Sequence, residues 1–246
     1  MSGHRERLDM LLVSRGLAAS RERARSLILA GKVICNNQTV DKAGHKVPGD
    51  AQIRLKGNDI PYVGRGGVKL AAALETFTID PTGCVALDVG ASTGGFTHCL
   101  LLHGARQVVA VDVGYGQLAW ELQQDPRVVV KDRTNIRSLV PGDFPQLFTF
   151  TVVDVSFISL TKVLPVVANL VAPGSPLVAL VKPQFEVGRS DIGKGGIVRD
   201  EKKQLEAVEN VIAVASDRGL RCDGRMDSPI LGQKGNREFL ILLRRQ

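Results

Sequence analysis

The sequence predicts an α/β protein in two parts. Residues 1–61 read as a small α+β unit, and residues 62–246 as a doubly wound, mostly parallel sheet with an antiparallel last strand. Three observations carry this. Strand-like and helix-like segments alternate from residue 84 onward, the pattern of right-handed β–α–β crossovers. A glycine-rich turn, Gly90-Ala91-Ser92-Thr93-Gly94-Gly95, joins the first strand of that series to its first helix. The net charge of +7 is unevenly placed: residues 1–61 carry 11 Lys and Arg against 6 Asp and Glu, and the rest carry 21 against 19. A basic module joined to a near-neutral one points to a polyanionic partner.

The composition excludes several classes. With 44% hydrophobic and 23% charged residues, the 246-residue chain can bury an ordinary core. The most apolar stretch, VLPVVANLVAPGSPLVALV, is broken by three prolines, a glycine and an asparagine, so no membrane helix is expected. The first ten residues are polar and lack an apolar signal region, and the reading is of a cytoplasmic protein with no membrane partner. Cys35, Cys84, Cys99 and Cys222 show no metal spacing and read as reduced thiols. His98 and His103 are five apart and would not share a helix face, so no metal site is expected.

In the first part, Leu8, Leu11 and Leu12 have helical spacing up to a break at Gly16. A second helix starts after Ser20, a helix-capping type, carries Ala24, Leu27 and Ile28 on one face, and closes at Ala30-Gly31. Lys32 to Ile34 reads as a strand, Asn36-Asn37 as a tight turn, and Ala51 to Leu55 as a further strand. Arg21, Arg23 and Arg25 lie on or beside the polar helix face, with Lys32 after its end. With Arg5, Arg7 and Arg15 they form a cationic set suited to the phosphates of a structured RNA. RLDMLLVSRGLAASRERARSLILAGKVICNNQTV resembles the S4 domain, a small RNA-binding module, in its R-L-D, S-R-x-x-A and I-x-x-G-x-V order.

Residues 57–61 (GNDIP) read as a linker. Strands are expected at 84–89, 107–113, 127–131, 149–155, 177–182, 222–226 and 239–243, with helices at 93–103, 159–171 and 201–218. The last helix carries an apolar stripe of Leu205, Val208, Val211 and Ile212. Ligands of such sheets bind beyond the carboxyl ends of the strands, where strand order reverses.

The turn poses a choice. Gly90-Ala91-Ser92-Thr93-Gly94 is a literal G-x-S-x-G, but a hydrolase triad needs a late histidine, and none follows His103. A pyrophosphate cradle wants glycine where Ser92 stands, and Phe96 excludes a Walker loop. A nucleoside cofactor without pyrophosphate remains. Asp112, ending the second strand, can accept from ribose hydroxyls, and Asp132, after the third, from an adenine amino group. S-adenosylmethionine fits these positions.

Topology brings four more residues to the same rim: Asp154 and Lys182 at strand ends, Glu238 opening the antiparallel last strand, and Lys69 on a helix before the first strand. Two lysines and two acids suit methyl transfer to an alcohol. The hydroxyl is a weak acid whose proton must be taken as it attacks. A neighbouring ammonium and a sulfonium favour a neutral lysine, so Lys182 is assigned as base, with Lys69, Asp154 and Glu238 orienting and tuning it. The order Lys69, GASTGGF, Asp154, Lys182, Glu238 resembles the FtsJ-like ribose 2′-O-methyltransferases. The motifs YVGRGGVKL, LDVGASTGGFTHCLL, VVDVSFISL, VKPQFEVGR and GNREFLILL are similar to the TlyA family, also labelled haemolysin A. That resemblance implies a Rossmann-like methyltransferase domain. It implies methylation of cytidine 2′-hydroxyls in ribosomal RNA of one or both subunits, with the RNA in assembled or partly assembled particles. Gly90, Ser92, Gly94, Gly95 and Phe96 then carry over as the cofactor turn. The GRG around Arg65 and the GRSDIGKGGIVRD stretch with Arg189, Lys194 and Arg199 read as substrate-gripping loops. A non-catalytic RNA-binding protein is the competing reading, and a membrane-lysing one is weaker still.

Overall fold

The computed structural model describes residues 5–18, 20–56 and 60–246, without the side chains of Arg189 and Gln233. By contacts the chain divides into two units, 1–60 and 61–246. Residues 57–59, most of the expected linker, lie outside the described residues.

In the first unit β1 (Arg5–Arg7) leads into α1 (Leu8–Ser14), followed by α2 (Arg21–Leu29). Then come β2 (Val33–Cys35), β3 (Gln38–Val40), β4 (Lys46–Pro48) and β5 (Ile53–Leu55). Ser20 caps α2 as expected, its Oγ accepting from Arg23 N at 3.1 Å. Asn36 and Asn37 turn β2 into β3 at φ of 48° and 65°, a left-handed conformation that asparagine tolerates. β2 pairs with β3 and β5, and β1 with β4, all antiparallel. Leu8, Leu11, Leu12, Ala24, Leu27 and Ile28 are buried together, so the helical spacing marks the core of this unit.

The second unit starts with α3 (Gly66–Thr76) and β6 (Val85–Val89), then α4 (Gly95–Leu102) and β7 (Gln107–Val111). It continues with α5 (Trp120–Gln123), β8 (Val128–Lys131), β9 (Phe150–Val153), α6 (Leu164–Leu170) and β10 (Pro176–Val181). It ends with α7 (Pro183–Glu186), α8 (Glu201–Ser216), β11 (Leu220–Asp227) and β12 (Phe239–Arg245). The strands form one sheet in the order β11-β12-β10-β9-β6-β7-β8. β6 to β10 run parallel, and β12 lies antiparallel between β10 and β11. Strand order reverses between β6 and β9, so the crevice lies beyond Val89 and Val153.

Both sheet faces are covered, which is why these strands read as near-continuous apolar runs. Leu87 and Val89 pack towards α6 and α8 through Leu164, Val167, Val208 and Val211. Ala86 packs on the opposite face with Leu70, Ala73, Phe96, Cys99 and Leu100 of α3 and α4. Each fully buried Leu or Val contributes about 1.5–3 kcal/mol of transfer free energy. Several boundaries differ from expectation. The helix expected at 159–171 is a 3-10 turn, Leu160–Lys162, followed by α6, because Pro165 lacks an N–H and tolerates only a first helical turn. β7 and β9 stop at Val111 and Val153, leaving Asp112 and Asp154 just past the ladder. β11 is longer than expected, with an irregular register between Cys222 and Gly224. Among the described residues no helix is long and apolar enough to cross a membrane.

Candidate active site

The turn after β6 is built by close approach. Gly90 has φ of 84°, and a Cβ there would lie 2.5 Å from Asp154 O, so glycine lets the ends of β6 and β9 meet. Gly90 N and Ala91 N both donate to Val111 O, at 2.9 and 3.2 Å, which ties the turn to the end of β7. Ser92 follows at φ of 49° and donates its N–H to Asp112 Oδ2 at 2.8 Å. Asp112 Oδ1 accepts from Gly114 N at 2.7 Å. Each carboxylate oxygen keeps a second lone pair for a ligand hydroxyl.

A cavity of about 600 Å³, within the range of small-ligand sites, opens beside this turn. Gly90, Ser92, Asp112, Asp154, Lys182 and Glu238 line it, as do Lys69 and Arg65. The four residues assigned to chemistry form two pairs in its lining. Lys69 Nζ donates to Glu238 Oε2 at 2.5 Å, joining α3 to the residue before β12, with both side chains almost fully buried. The antiparallel register sets Phe239 opposite Val181, which brings Glu238 to the rim where β10 ends. Lys182 Nζ lies 2.6 Å from Asp154 Oδ1, an ion pair that lacks the angle of a directed hydrogen bond. Its directed bond goes to Ser156 Oγ at 2.8 Å.

Two further carboxyls lie off the cavity lining, Asp88 fully buried and Glu186 half-buried. Asp88, within β6, accepts from Thr97 Oγ1 at 2.6 Å through Oδ2, while its Oδ1 has no partner among the described residues. Burial pushes Asp88 up to about 7; the charges of Asp154 and Asp112 add to that, and the Thr97 hydrogen bond opposes it. Glu186, on α7, accepts from Ser159 Oγ at 2.5 Å and from Leu160 N at 2.9 Å. Burial raises its carboxyl, and those two bonds oppose the rise.

Some expected residues do not reach the cavity. Asp132 is not among its lining residues: its Oδ2 accepts from Gly116 N at 2.8 Å, and the backbone beyond it is bonded to the 112–114 turn. Thr134, Asn135 and Ile136 line the wall instead. Gly94, Gly95 and Phe96 also lie off the cavity. Gly94, at φ of 94°, makes room for Leu118 and Leu122; Gly95 lets α4 approach Gly67 N; buried Phe96 packs under Gly66. They shape the turn from behind. Sequence reasoning missed Ser156, Phe157, Gln184 and Phe185, which line the cavity. Their adjacency to Asp154 and Lys182 was the available signal.

The cationic set of the first unit is partly occupied. Asp9 is buried and binds Arg7 through Nε at 3.0 Å and Nη2 at 2.9 Å, and Arg21 through Nε at 3.1 Å. The Arg7 fork is the main cause holding Asp9 at about 2, with Arg21 assisting against desolvation. Arg15 donates to Ala51 O at 2.6 Å and Gly49 O at 2.5 Å, and Arg5 to Lys46 O at 2.8 Å. Arg23 Nη2 reaches Ile60 O at 3.4 Å. These arginines therefore brace the unit. Arg25 and Lys32 are exposed, as are Arg65 and Lys194 of the second unit.

The family model described as FtsJ-like methyltransferase matches residues 62–245, and that of the S4 domain residues 6–53. The chain is 45% identical over 243 residues to the 16S/23S rRNA (cytidine-2′-O)-methyltransferase TlyA of Mycobacterium tuberculosis, covering 98% of this chain and 91% of that protein. The chain belongs to the TlyA family. A solved structure described as a hemolysin from Streptococcus thermophilus is 44% identical, covers 98% of this chain and 89% of its own, and has a TM-score of 0.77. TlyA-family membership thus spans both units and makes the second a methyltransferase domain. Its fold is shared with the N-methyltransferase NodS of Bradyrhizobium japonicum, solved with S-adenosyl-L-homocysteine. That match has a TM-score of 0.53 at 18% identity, over 76% of this chain and 89% of that one.

Proposed function

We propose that this TlyA-family chain is a cytoplasmic, S-adenosylmethionine-dependent methyltransferase of ribosomal RNA. Its target is a cytidine ribose 2′-hydroxyl in one or both subunits, in assembled or partly assembled particles. Residues 1–61 grip the RNA, and residues 62–246 carry the chemistry. The observation that carries this reading is the convergence of two lysine–carboxylate pairs on one cavity wall beside the glycine turn.

The residues present fit the cofactor. Asp112 has lone pairs for a ribose diol, while Val113 and Ile136 offer apolar surface to an adenine. Gly90 and Ser92 leave the turn open for a methionine tail. When bound, S-adenosylmethionine supplies a methyl group on a sulfonium sulfur, which departs as a thioether. Lys182 Nζ takes the proton of the 2′-hydroxyl as the ribose oxygen becomes the nucleophile. Asp154 holds that amine at the rim, and Lys69, fixed by Glu238, presents an ammonium to the charge developing on the oxygen. Arg65 at the cavity mouth, with Arg25, Lys32, Arg189 and Lys194, contributes phosphate contacts.

The test is transfer of labelled methyl from S-adenosylmethionine to purified ribosomal subunits lacking the modification, with Lys182→Ala as control. Label on a ribose, lost in the variant, is the expected result. Cofactor binding without label on either subunit would overturn the substrate reading.

A further inference from the structure

Lys182 has a second partner besides Asp154, and its placement bears on how an amine acts as a base. A neutral amine carries two N–H bonds and one lone pair, spread tetrahedrally about the Cε–Nζ bond. Only the lone pair accepts the hydroxyl proton, so its direction decides whether a well-placed substrate is productive. Asp154 Oδ1 at 2.6 Å draws the amine by charge, without the angle of a directed hydrogen bond. With that attraction alone, Nζ rotates and its lone pair has no fixed direction. Ser156 Oγ, accepting at 2.8 Å, supplies the directed bond: with one N–H there and the other drawn towards Asp154, the remaining direction is left to the lone pair. Ser156 lines the cavity.

The surrounding chain holds Ser156 there. Residues 154–160 form a strap from the end of β9, and Phe157 turns it at φ of 64°, a left-handed conformation rare for a bulky residue. The strap is fastened to the segment that carries Lys182. Glu186, four residues beyond Lys182, binds Ser159 Oγ and Leu160 N, and the Phe157 and Phe185 rings pack at 5.2 Å between centroids. Base and serine are thereby coupled through α7 and do not depend on separate loops.

We infer that Ser156 is a positioning residue for Lys182, directing its lone pair at the incoming hydroxyl. This rests on the function proposed above, in which Lys182 is the base. Ser156 is exposed, so its replacement removes a hydroxyl without opening the core. The experiment measures kcat and KM for methyl transfer in wild type, Ser156→Ala, Ser156→Thr and Lys182→Ala, with S-adenosylhomocysteine binding by calorimetry. Ser156→Ala is expected to lower kcat by about tenfold or more while KM and cofactor affinity stay within about twofold, the mark of an interaction needed in the transition state. Ser156→Thr, which keeps the hydroxyl, is expected to recover kcat to within about threefold of wild type. Unchanged kcat in Ser156→Ala, a matching loss of cofactor affinity, or failure of threonine to rescue would each overturn the inference. No transfer by wild type, or full turnover by Lys182→Ala, would instead remove the function reading and the serine's role with it.

Discussion

Both units set cations against carboxylates, but only the second buries the cation as well as the acid. In the first, Asp9 is fully buried while the side chains of Arg7 and Arg21 remain 40% and 57% exposed. In the second, Lys69 and Lys182 are themselves buried, at 10% and 11% side-chain exposure, and their nitrogens lie on a cavity wall. A buried acid met by outer arginines organises a fold, because the charge is compensated and the cations keep donors for solvent or phosphate. A buried amine at a cavity can change protonation and exchange its partner for a substrate. On the function proposed above, the same residue types serve architecture in one unit and chemistry in the other, and the burial of the cation separates the two.

The largest expected effect breaks that contrast at Lys182. Lys182→Ala should reduce methyl transfer by about 10²–10⁴-fold while S-adenosylhomocysteine still binds, as read by labelled transfer and calorimetry. Asp9→Ala should do the reverse, leaving turnover per bound RNA intact but loosening the first unit. A cost of about 1–3 kcal/mol is expected from losing charge-assisted bonds, seen as faster amide exchange across α1 and α2. Unchanged exchange there would remove the architectural role of Asp9.

Acidity sharpens the comparison, because the two buried aspartates shift in opposite directions. Asp9 is depressed to about 2, so its contribution is full above the unfolded value near 4 and fades as pH falls from about 4 through 2. Asp88 is raised to about 7, so the folded second unit holds a proton that the unfolded chain has lost. Its stability should decline as pH rises from about 4 to 7. Asp88→Asn should flatten that decline without altering the first unit, a result that pH-dependent amide exchange can check region by region. The smallest effect concerns the exposed cations. Reversing Arg25 and Lys32 together should weaken binding to all RNA sequences alike and lower the salt slope by about two, with kcat unchanged at saturation. An unaltered slope would move the RNA contacts to other residues.

Much of this protein is legible in its sequence, for physical reasons. Alternating apolar runs mark the strands, because a sheet buried on both faces needs them. Chain direction alone then places Asp154 and Lys182 at one rim, and an antiparallel last strand adds Glu238. Ser20 and Asn36-Asn37 announce a cap and a hairpin through backbone chemistry that few residues supply. What the tertiary structure decided is partnership. Lys69 takes Glu238, 169 residues away, and Lys182 takes Asp154 and Ser156. Asp132 turns into a local loop, leaving Thr134, Asn135 and Ile136 on the cavity wall, and Asp9 claims arginines that read as RNA contacts. Local sequence constrains dihedral angles and burial pattern within a few residues. Which charged side chain meets which depends on distances of a few ångströms between segments far apart in the chain, and only the assembled sheet sets those.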